Sequence, residues 1–356
     1  MAVPGPRHWL TGLALSLALA WAAGALLLDT VQPVAFDHAV GHYVPLPGTT
    51  TRTRAEGWAT SSVGEHGLRG LPGGKLPSDP KVVFWGDSYV EGLQVDDAQR
   101  MAQVFSAQAR GNGLNLMGVG IATGGNTLID SIVTAPGYAR ALGQVPLHVF
   151  VLGRITDVLP DDPRPCRAAF YSRPEPHIVP VDCPPSEWSL RFAPHLRKLE
   201  LSGAFTAYQK LKEQHLRFNL GPAKATAASA TASGPESIRR AEAWNFLFAQ
   251  TRRAAAGPVL FLYLPFVPNL VQGDLRQTDS DAATTQAFAD ACARNDVPFL
   301  NLGPAFLAHY QATGRMPRGF FNSPPGSGHL NEDGHRLVAQ AVFQYIKEQS
   351  DALLAP

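Results

Sequence analysis

Long basic runs are absent from this sequence. No stretch of consecutive Lys or Arg exceeds two residues, and the formal net charge of the 356-residue chain is +1. Binding to nucleic acid depends on clusters of Lys and Arg that neutralise phosphates, so we expect no nucleic-acid partner. A spacing of the Cys-x-x-Cys or His-x-x-x-His type does not accompany the cysteines, and we predict neither a metal site nor a cofactor.

Cysteine is scarce, with three residues in the whole chain. Cys166 and Cys183 lie in a proline-rich stretch without helix or strand periodicity. In an oxidising compartment such a loop favours a disulfide between the two. Two unpaired loop thiols are the alternative. Cys292 lies in a helical pattern and is predicted to be a small core residue.

Charge is missing altogether from residues 9–28. At 1.5 Å per residue an apolar helix of this length spans about 30 Å, the hydrocarbon thickness of a bilayer. We therefore predict a transmembrane signal anchor. A cleaved signal peptide is the alternative, although its apolar core is usually only about 7–15 residues long. Arg7 precedes the run, and no Lys or Arg follows it before Arg52.

This charge bias predicts residues 1–8 in the cytoplasm and the catalytic portion in the periplasm, outside the inner membrane, with a single pass. Residues 29–80 are rich in Gly, Pro, Thr and Ser and are predicted to be a stalk that then packs on the domain edge. The main domain is expected over 81–350. An insertion at 158–245 interrupts it and holds the cysteine loop, a helical run near 194–216 and a low-complexity segment at 221–235, predicted to be disordered.

Within the main domain, short apolar strands alternate with helical patterns. The strands are expected at 81–85, 114–119, 147–152, 258–264 and 297–302. The helices are expected at 97–110, 126–143, 236–256, 281–294 and 332–348. Continuous apolar strands that alternate with helices are typical of a parallel sheet covered on both faces. The predicted fold is an α/β domain, a three-layer α/β/α sandwich with a five-stranded parallel sheet, flavodoxin-like in class.

The chemistry is concentrated at the end of the first of these strands, in the tripeptide Gly86-Asp87-Ser88. A serine on a sharp turn between a strand and a helix is exposed at the C-terminal edge of a sheet, where backbone N–H groups can hold an anion. That position suits a nucleophile. An ordinary turn is the alternative, because all three residues favour turns. His329 lies in a Gly/Pro/Ser-rich loop before the last helix, from which it can act as a general base.

The block GDSYVEG at 86–92 and the block HLNEDGH at 329–335 together resemble the GDSL/SGNH hydrolase superfamily, of the membrane-anchored bacterial envelope type. The resemblance covers about residues 65–348 and implies the SGNH-hydrolase-like fold. It also implies that Ser88 is the nucleophile and His329 the base. Asp87 then holds the turn, and His335 is a packing or helix-start residue.

The resemblance further implies an oxyanion donor in the glycine-rich run after the second strand, where we favour Gly120, with Gly118 close behind. Tight strand–helix packing is the alternative reason for these glycines. At the third block the family has Asn, and this chain has Thr156, with Arg154 as a second possible donor. The aspartate that orients the histidine normally stands three residues before it, where this chain has Gly326. Ser323, Ser327 or a backbone carbonyl would then hold the ring in a Ser–His dyad.

Two functions follow from these residues. The first is a serine esterase, O-acyl hydrolase or acyltransferase that acts on a small-molecule or glycan ester outside the cytoplasmic membrane. The second is a catalytically impaired module that keeps the fold and binds envelope glycan or a protein partner, motivated by the missing Asn and Asp. A nucleotide-binding domain is disfavoured, because the glycine run lacks the G-x-G-x-x-G spacing.

Overall fold

The computed structural model describes residues 6–30, 32–155, 167–171, 175–181, 187, 190–192, 195 and 235–353. Thr156, Cys166 and Cys183 lie outside the described residues, as do nearly all of 194–216 and 221–235. The Thr156 donor, the disulfide, the insertion helix and the disordered segment therefore stay predictions. Cys292 is fully buried, as expected of a core residue.

The N-terminal helix α1 covers Pro6–Leu27. It carries many of the large apolar side chains that are exposed in the structure, among them Trp9, Leu10 and Leu19. Of the helices in the described part of the chain, none is long and apolar enough to cross a membrane. The structure therefore does not support the anchor predicted at 9–28.

The segment predicted to be a stalk is folded. It contains two antiparallel hairpins, β1 (Val34–Asp37) with β2 (His42–Pro45), and β3 (Thr50–Thr53) with β4 (Ala59–Ser62). Apolar side chains from this segment are buried in the core, including Val44 and Leu68. Strands β3 and β4 consist mostly of Thr and Ser, and β1 and β2 have only four residues each, so the segment shows little apolar periodicity and its sequence suggested a stalk.

The remaining strands of the described residues follow in chain order: β5 (Lys81–Gly86), β6 (Met117–Ala122), β7 (Leu147–Leu152), β8 (Arg167–Tyr171), β9 (His177–Val181), β10 (Val259–Tyr263), β11 (Asn269–Val271), β12 (Asp274–Arg276) and β13 (Phe299–Asn301). Five of them form a fully parallel sheet in the order β13-β10-β7-β5-β6. The pairs β8–β9 and β11–β12 are separate antiparallel hairpins.

The helices of the described residues are α2 (Ser88–Glu91), α3 (Met101–Gly111), α4 (Leu128–Leu142), α5 (Pro235–Ala255), α6 (Ala282–Arg294), α7 (Gly303–Thr313), α8 (Glu332–Glu348) and α9 (Ser350–Leu353). Helices α3 and α8 pack on one face of the sheet, and α4, α5 and α6 on the other. The predicted three-layer α/β/α architecture is therefore confirmed.

Alternation along the central strand β5 shows how the two faces are filled. Val82 and Phe84 pack in the cluster with α3 and α8, whereas Val83 and Trp85 pack in the opposite cluster. All four are at most 1% exposed. After β5 the chain adds β6 on one side and then crosses to add β7 on the other side. Sheets of this kind bind their ligands at such a crossing point, beyond the carboxyl ends of the strands. Ser88 follows β5 directly.

Candidate active site

Ser88 is placed by a tight turn at the end of β5. Asp87 precedes α2, and its carboxylate accepts a hydrogen bond from the backbone N–H of Tyr89 at 2.9 Å. A Cβ atom at Gly86 would lie 2.6 Å from Cγ2 of Val90, so a side chain there would push the turn away from the sheet. Asp87 therefore holds the turn, as the resemblance implies, and the turn presents Ser88 at the sheet edge.

His329 reaches Ser88 from the loop between α7 and α8. Leu330, its neighbour, is fully buried, and Asn331 caps α8 by accepting a hydrogen bond from the N–H of Gly334 at 3.1 Å. The buried residue and the helix cap directly follow His329 and fix the backbone on its C-terminal side. The ring Nε2 lies 2.9 Å from Oγ of Ser88. The structure thus brings together the predicted nucleophile and base.

The far side of the His329 ring is held by a residue that sequence reasoning missed. Nδ1 lies 2.5 Å from one carboxylate oxygen of Glu56, and the backbone N–H of His329 donates to the other at 2.8 Å. Glu56 is in the loop between β3 and β4, so the acid precedes the histidine by 273 residues. The expected Ser–His dyad is therefore wrong, and the arrangement is a Ser–His–Glu triad.

The electrostatics of Glu56 agree with this role. Burial raises the pKa of the carboxyl, but the hydrogen bonds from the His329 ring and backbone, with the charge of the ring, lower it by more. The net pKa is below the ordinary value, so Glu56 is ionised at neutral pH. An ionised carboxylate fixes the proton on Nδ1 and leaves Nε2 free to accept the proton of Ser88.

The residues expected to orient the ring have other partners. The hydroxyl of Ser323 accepts from the N–H of Phe320, and that of Ser327 donates to the carbonyl of Pro324. Gly326 itself has a φ of +71°, and a Cβ atom there would lie 2.6 Å from the Met316 sulfur. An aspartate at the usual position would not fit this loop, because both its backbone conformation and the packing require glycine.

His335 also has the structural role that the resemblance implies. The side chain is 1% exposed, and its Nδ1 accepts a hydrogen bond from the N–H of Met101 at 3.3 Å. Burial, with the positive charge of Arg100 nearby, lowers its pKa to about 3. A neutral ring that packs α8 against α3 takes no part in proton transfer at Ser88.

In the glycine-rich run after the second strand, the glycine that lies near Ser88 is not the one that was expected. Gly120 lies inside β6, opposite Phe84 in the register, and therefore short of the strand end. A Cβ atom at Gly118 would meet the carbonyl of Ala102, so that glycine allows α3 to approach the sheet. In the turn after β6, a Cβ atom at Gly124 would lie 3.8 Å from that of Ser88. Gly124, not Gly120, is therefore the glycine of this run beside the nucleophile.

The N–H of Gly124 donates to a carboxylate oxygen of Glu91 at 2.9 Å. The other oxygen of Glu91 accepts from Arg69 at 3.1 Å, and both side chains are at most 10% exposed. This buried pair fixes the turn that carries Gly124 against α2. Arg154, considered as a second donor, is exposed.

Arg318 is a second residue near the triad without a sequence signal. Its side chain is 1% exposed, and its Nη2 donates to the carbonyl of Leu264 at 2.6 Å, just after β10. Its Nη1 donates to the carbonyl of Gly328 at 3.3 Å, next to His329. The guanidinium also lies 4.7 Å from the centre of the Tyr89 ring. Arg318 therefore ties the histidine loop to the sheet edge.

Within the described residues, no group of three or more His, Cys, Asp or Glu side chains is arranged to hold a metal ion. The reactive groups that the structure assembles are the hydroxyl of Ser88, the imidazole of His329 and the carboxylate of Glu56. The sheet, the serine turn and the histidine loop have the arrangement that the resemblance to the GDSL/SGNH superfamily implies.

Comparison with known proteins gives matches only at the level of structure. No protein-family model and no curated protein matches the sequence. An acetyl xylan esterase, AlAXEase, is 13% identical over 75% of this chain and 99% of its own, with a TM-score of 0.41. A lipolytic protein of the G-D-S-L family from Veillonella parvula is 11% identical over 75% of this chain and 98% of its own, with a TM-score of 0.35.

A variant of an acetyl-xylooligosaccharide esterase from a Geobacillus species is also similar. It is 13% identical over 76% of this chain and 96% of its own, with a TM-score of 0.39. Identities and scores this low carry no argument about activity. The case for a reaction rests on the geometry of the site.

Proposed function

We propose that this chain is a serine esterase in which Ser88 is the nucleophile, His329 the general base and Glu56 the orienting carboxylate. The observation that carries the proposal is the continuous chain of contacts from Oγ of Ser88 through His329 to Glu56, at 2.9 and 2.5 Å. A nucleophile within reach of a base, itself oriented by a third group, is the arrangement that nucleophilic catalysis requires.

In the acylation step, Oγ of Ser88 attacks the ester carbonyl as its proton passes to Nε2 of His329. The tetrahedral intermediate then collapses: the bond to the leaving oxygen breaks, and that oxygen takes the proton from His329. The product alcohol departs and leaves an acyl-serine. Water, or a sugar hydroxyl in an acyltransferase, then attacks the acyl group with His329 as base, which restores Ser88.

The oxyanion needs donors aimed at the position where its charge develops. We propose the backbone N–H of Ser88 for this role, with the N–H of Gly124 in place of Gly120. Gly124 lies beside Ser88, but its N–H is bonded to Glu91 in this structure. Its use therefore requires that substrate displaces the Glu91 carboxylate. Thr156 stays a proposed third donor.

The test of the esterase proposal is Ser88→Ala. We expect the variant to lose hydrolysis of a small aryl acetate and labelling by a serine-directed phosphonate. Ser327→Ala is the matched control, because Ser327 lies two residues from His329 and bonds only to Pro324 among the contacts of its hydroxyl seen here. A folded wild-type protein that shows neither hydrolysis nor labelling would leave the binding module as the better reading.

The substrate is proposed to be an O-acyl group on envelope polysaccharide or a lipid ester, and the acceptor water or a sugar. This rests on the proposed location outside the cytoplasmic membrane, for which the support is the uncharged sequence of residues 9–28. Aryl esters of increasing acyl length separate the substrate classes, because an acetyl-specific site loses activity beyond the shortest chains. Cell fractionation with protease accessibility tests the location.

A further inference from the structure

Glu56 is carried by a part of the molecule that the central sheet does not hold directly. It lies between β3 and β4, and these strands pair only with each other through four residue pairs, 50–53 with 59–62. An isolated two-stranded hairpin is at best marginally stable on its own. Yet orienting carboxylates must be held to within fractions of an ångström. Some other contact must therefore fix the Glu56 loop.

One such contact is the side-chain amide of Asn322, and a second is the Asp29 carboxylate, which accepts from the N–H groups of Arg54 and Ala55. The Oδ1 of Asn322 accepts a hydrogen bond from the N–H of Gly57 at 2.8 Å. Its Nδ2 donates to the carbonyl of Arg54 at 2.9 Å and to that of Gly57 at 3.1 Å. These bonds bracket Glu56 on both sides in the sequence.

Asn322 belongs to the same loop as His329. The N–H of Gly319 donates to the carbonyl of His329 at 3.1 Å, and the N–H of Phe320 donates to the hydroxyl of Ser323 at 2.8 Å. The backbone on either side of Asn322 is therefore fixed relative to the imidazole. A side chain anchored in this way can hold the Glu56 loop at a set distance from the ring.

We propose that Asn322 is a positioning residue of the triad. Its hydrogen bonds hold the loop of Glu56 against the loop of His329. This inference rests on the proposed function, because it assigns a role to Asn322 in the same reaction. Asn322 contacts neither the reacting atoms nor the Glu56 carboxylate in the bonds described. It acts through the backbone of Arg54 and Gly57.

The chemistry of the site requires an amide. The loop presents one N–H and two carbonyls to the side chain, so the partner must accept once and donate twice. Aspartate has no hydrogen to donate when ionised, and its charge would face two carbonyl oxygens. Glutamine has the same groups, but its extra methylene moves them by more than the hydrogen bonds tolerate. Neither substitution preserves the three hydrogen bonds to the Glu56 loop.

The first test is kinetic. Asn322→Ala and Asn322→Asp should lower kcat by about 10²-fold, the cost of a displacement of about 1 Å in a catalytic group, with little change in KM. Asn112→Ala is the matched control. The amide of Asn112 donates to the carbonyl of Gln108 at the end of α3, before the amino end of β6. The Asn112→Ala variant should therefore leave kcat unchanged.

The second test asks whether Asn322 acts through Glu56. Residues that act as a unit are strongly non-additive. The double variant Glu56→Gln with Asn322→Ala should therefore be no slower than Glu56→Gln alone. A further loss in the double variant equal to the loss from Asn322→Ala alone would overturn the proposal, since it would give Asn322 an independent effect.

The third test does not depend on turnover. The proton between Nδ1 of His329 and Glu56 should give a far-downfield proton resonance in the wild type and in the Asn112→Ala control. The resonance should be lost in Glu56→Gln and lost or shifted in Asn322→Ala. An unchanged resonance in folded Asn322→Ala would refute the positioning role. If the wild type shows the resonance but hydrolyses no ester, the proposed function is wrong. The effect of Asn322→Ala on the resonance still tests the positioning role in that case.

Discussion

The two side chains that hydrogen-bond to the His329 ring, Ser88 and Glu56, are held in opposite ways. Ser88 follows a strand that is buried along its whole length, and its turn is fixed by Asp87 and by the packing of Gly86 on Val90. Glu56 lies on a peripheral hairpin, and its loop is fixed by side chains that come from elsewhere in the chain. Ser88 is thus placed by the fold, whereas Glu56 is placed by a few hydrogen bonds. Changes on the acid side should therefore alter activity without unfolding the sheet.

The largest expected effect is that of Glu56→Gln, which keeps the size of the side chain and removes its charge. We expect kcat to fall by about 10⁴-fold, as when the carboxylate of a serine triad is replaced by an amide. Steady-state hydrolysis of an aryl acetate measures it. Glu65→Gln, in the same N-terminal segment, is the control. A loss of less than tenfold would show that the ring needs no carboxylate.

The next prediction asks whether the acid can be moved to its usual position. Gly326→Asp should destabilise the protein by about 2–4 kcal/mol, because the residue has a positive φ and its Cβ would overlap Met316. Gly314→Ala is the control for strain alone, with a similar φ of +70° and open space around it. Combined with Glu56→Gln, Gly326→Asp should restore no activity. Recovery of activity would show that the loop accepts the usual acid.

The pH dependence of stability gives a smaller effect. The folded-state pKa of Glu56 lies below its ordinary value of 4.5, so its contribution to stability is complete above that pH and is lost as the pH falls through the folded pKa. Glu56→Gln should therefore have a lower free energy of unfolding at neutral pH, by about 1.5–3 kcal/mol, the range for hydrogen bonds to charged groups. Urea unfolding of both proteins at pH 7 and below pH 4 should show the difference shrink in acid.

The smallest effect is expected at the other end of the Glu56 loop. Asp29 accepts hydrogen bonds from the N–H groups of Arg54 and Ala55, at 2.5 and 3.1 Å. Asp29→Ala should lower kcat by about 3–10-fold, in keeping with a net value of about 1 kcal/mol for such bonds. Asp29→Asn keeps an acceptor and should stay close to the wild type. If both variants are equally slow, the charge of Asp29, and not its bonds to the loop, is responsible.

Much of the fold could be predicted from local pattern. The five strands of the parallel sheet were expected within a few residues of their observed ends, because each lies in an apolar run between helical patterns. Helix α7 was not expected, although Pro304 near its start and Gly314 at its C-cap are the residues that favour those positions. Its apolar residues do not repeat with a clear helical period, so their pattern does not indicate a helix at 303–313.

The candidate site could be predicted in part. Ser88 and His329 belong to short motifs beside regular elements, and such motifs place a side chain without knowledge of the rest of the fold. Glu56 belongs to no motif and reaches the histidine only through the folding of two hairpins. Gly120 was favoured over Gly124 because the end of β6 lies three residues later than expected. The contact of Glu56 depends on tertiary structure and the place of Gly124 on an exact strand end, and a local pattern records neither.

Because Glu56 lies before residue 81, the part of the chain that forms the central sheet does not contain all three residues of the triad. A chain begun at residue 81 would keep every strand of the central sheet, the serine turn and the histidine loop. It would lack the carboxylate, and its imidazole would have no partner on the far side. The smallest unit that contains the sheet is therefore shorter than the smallest unit that contains the proposed triad. Exchange of the β3–β4 hairpin between related chains would transfer the proposed orienting carboxylate without any change to the sheet.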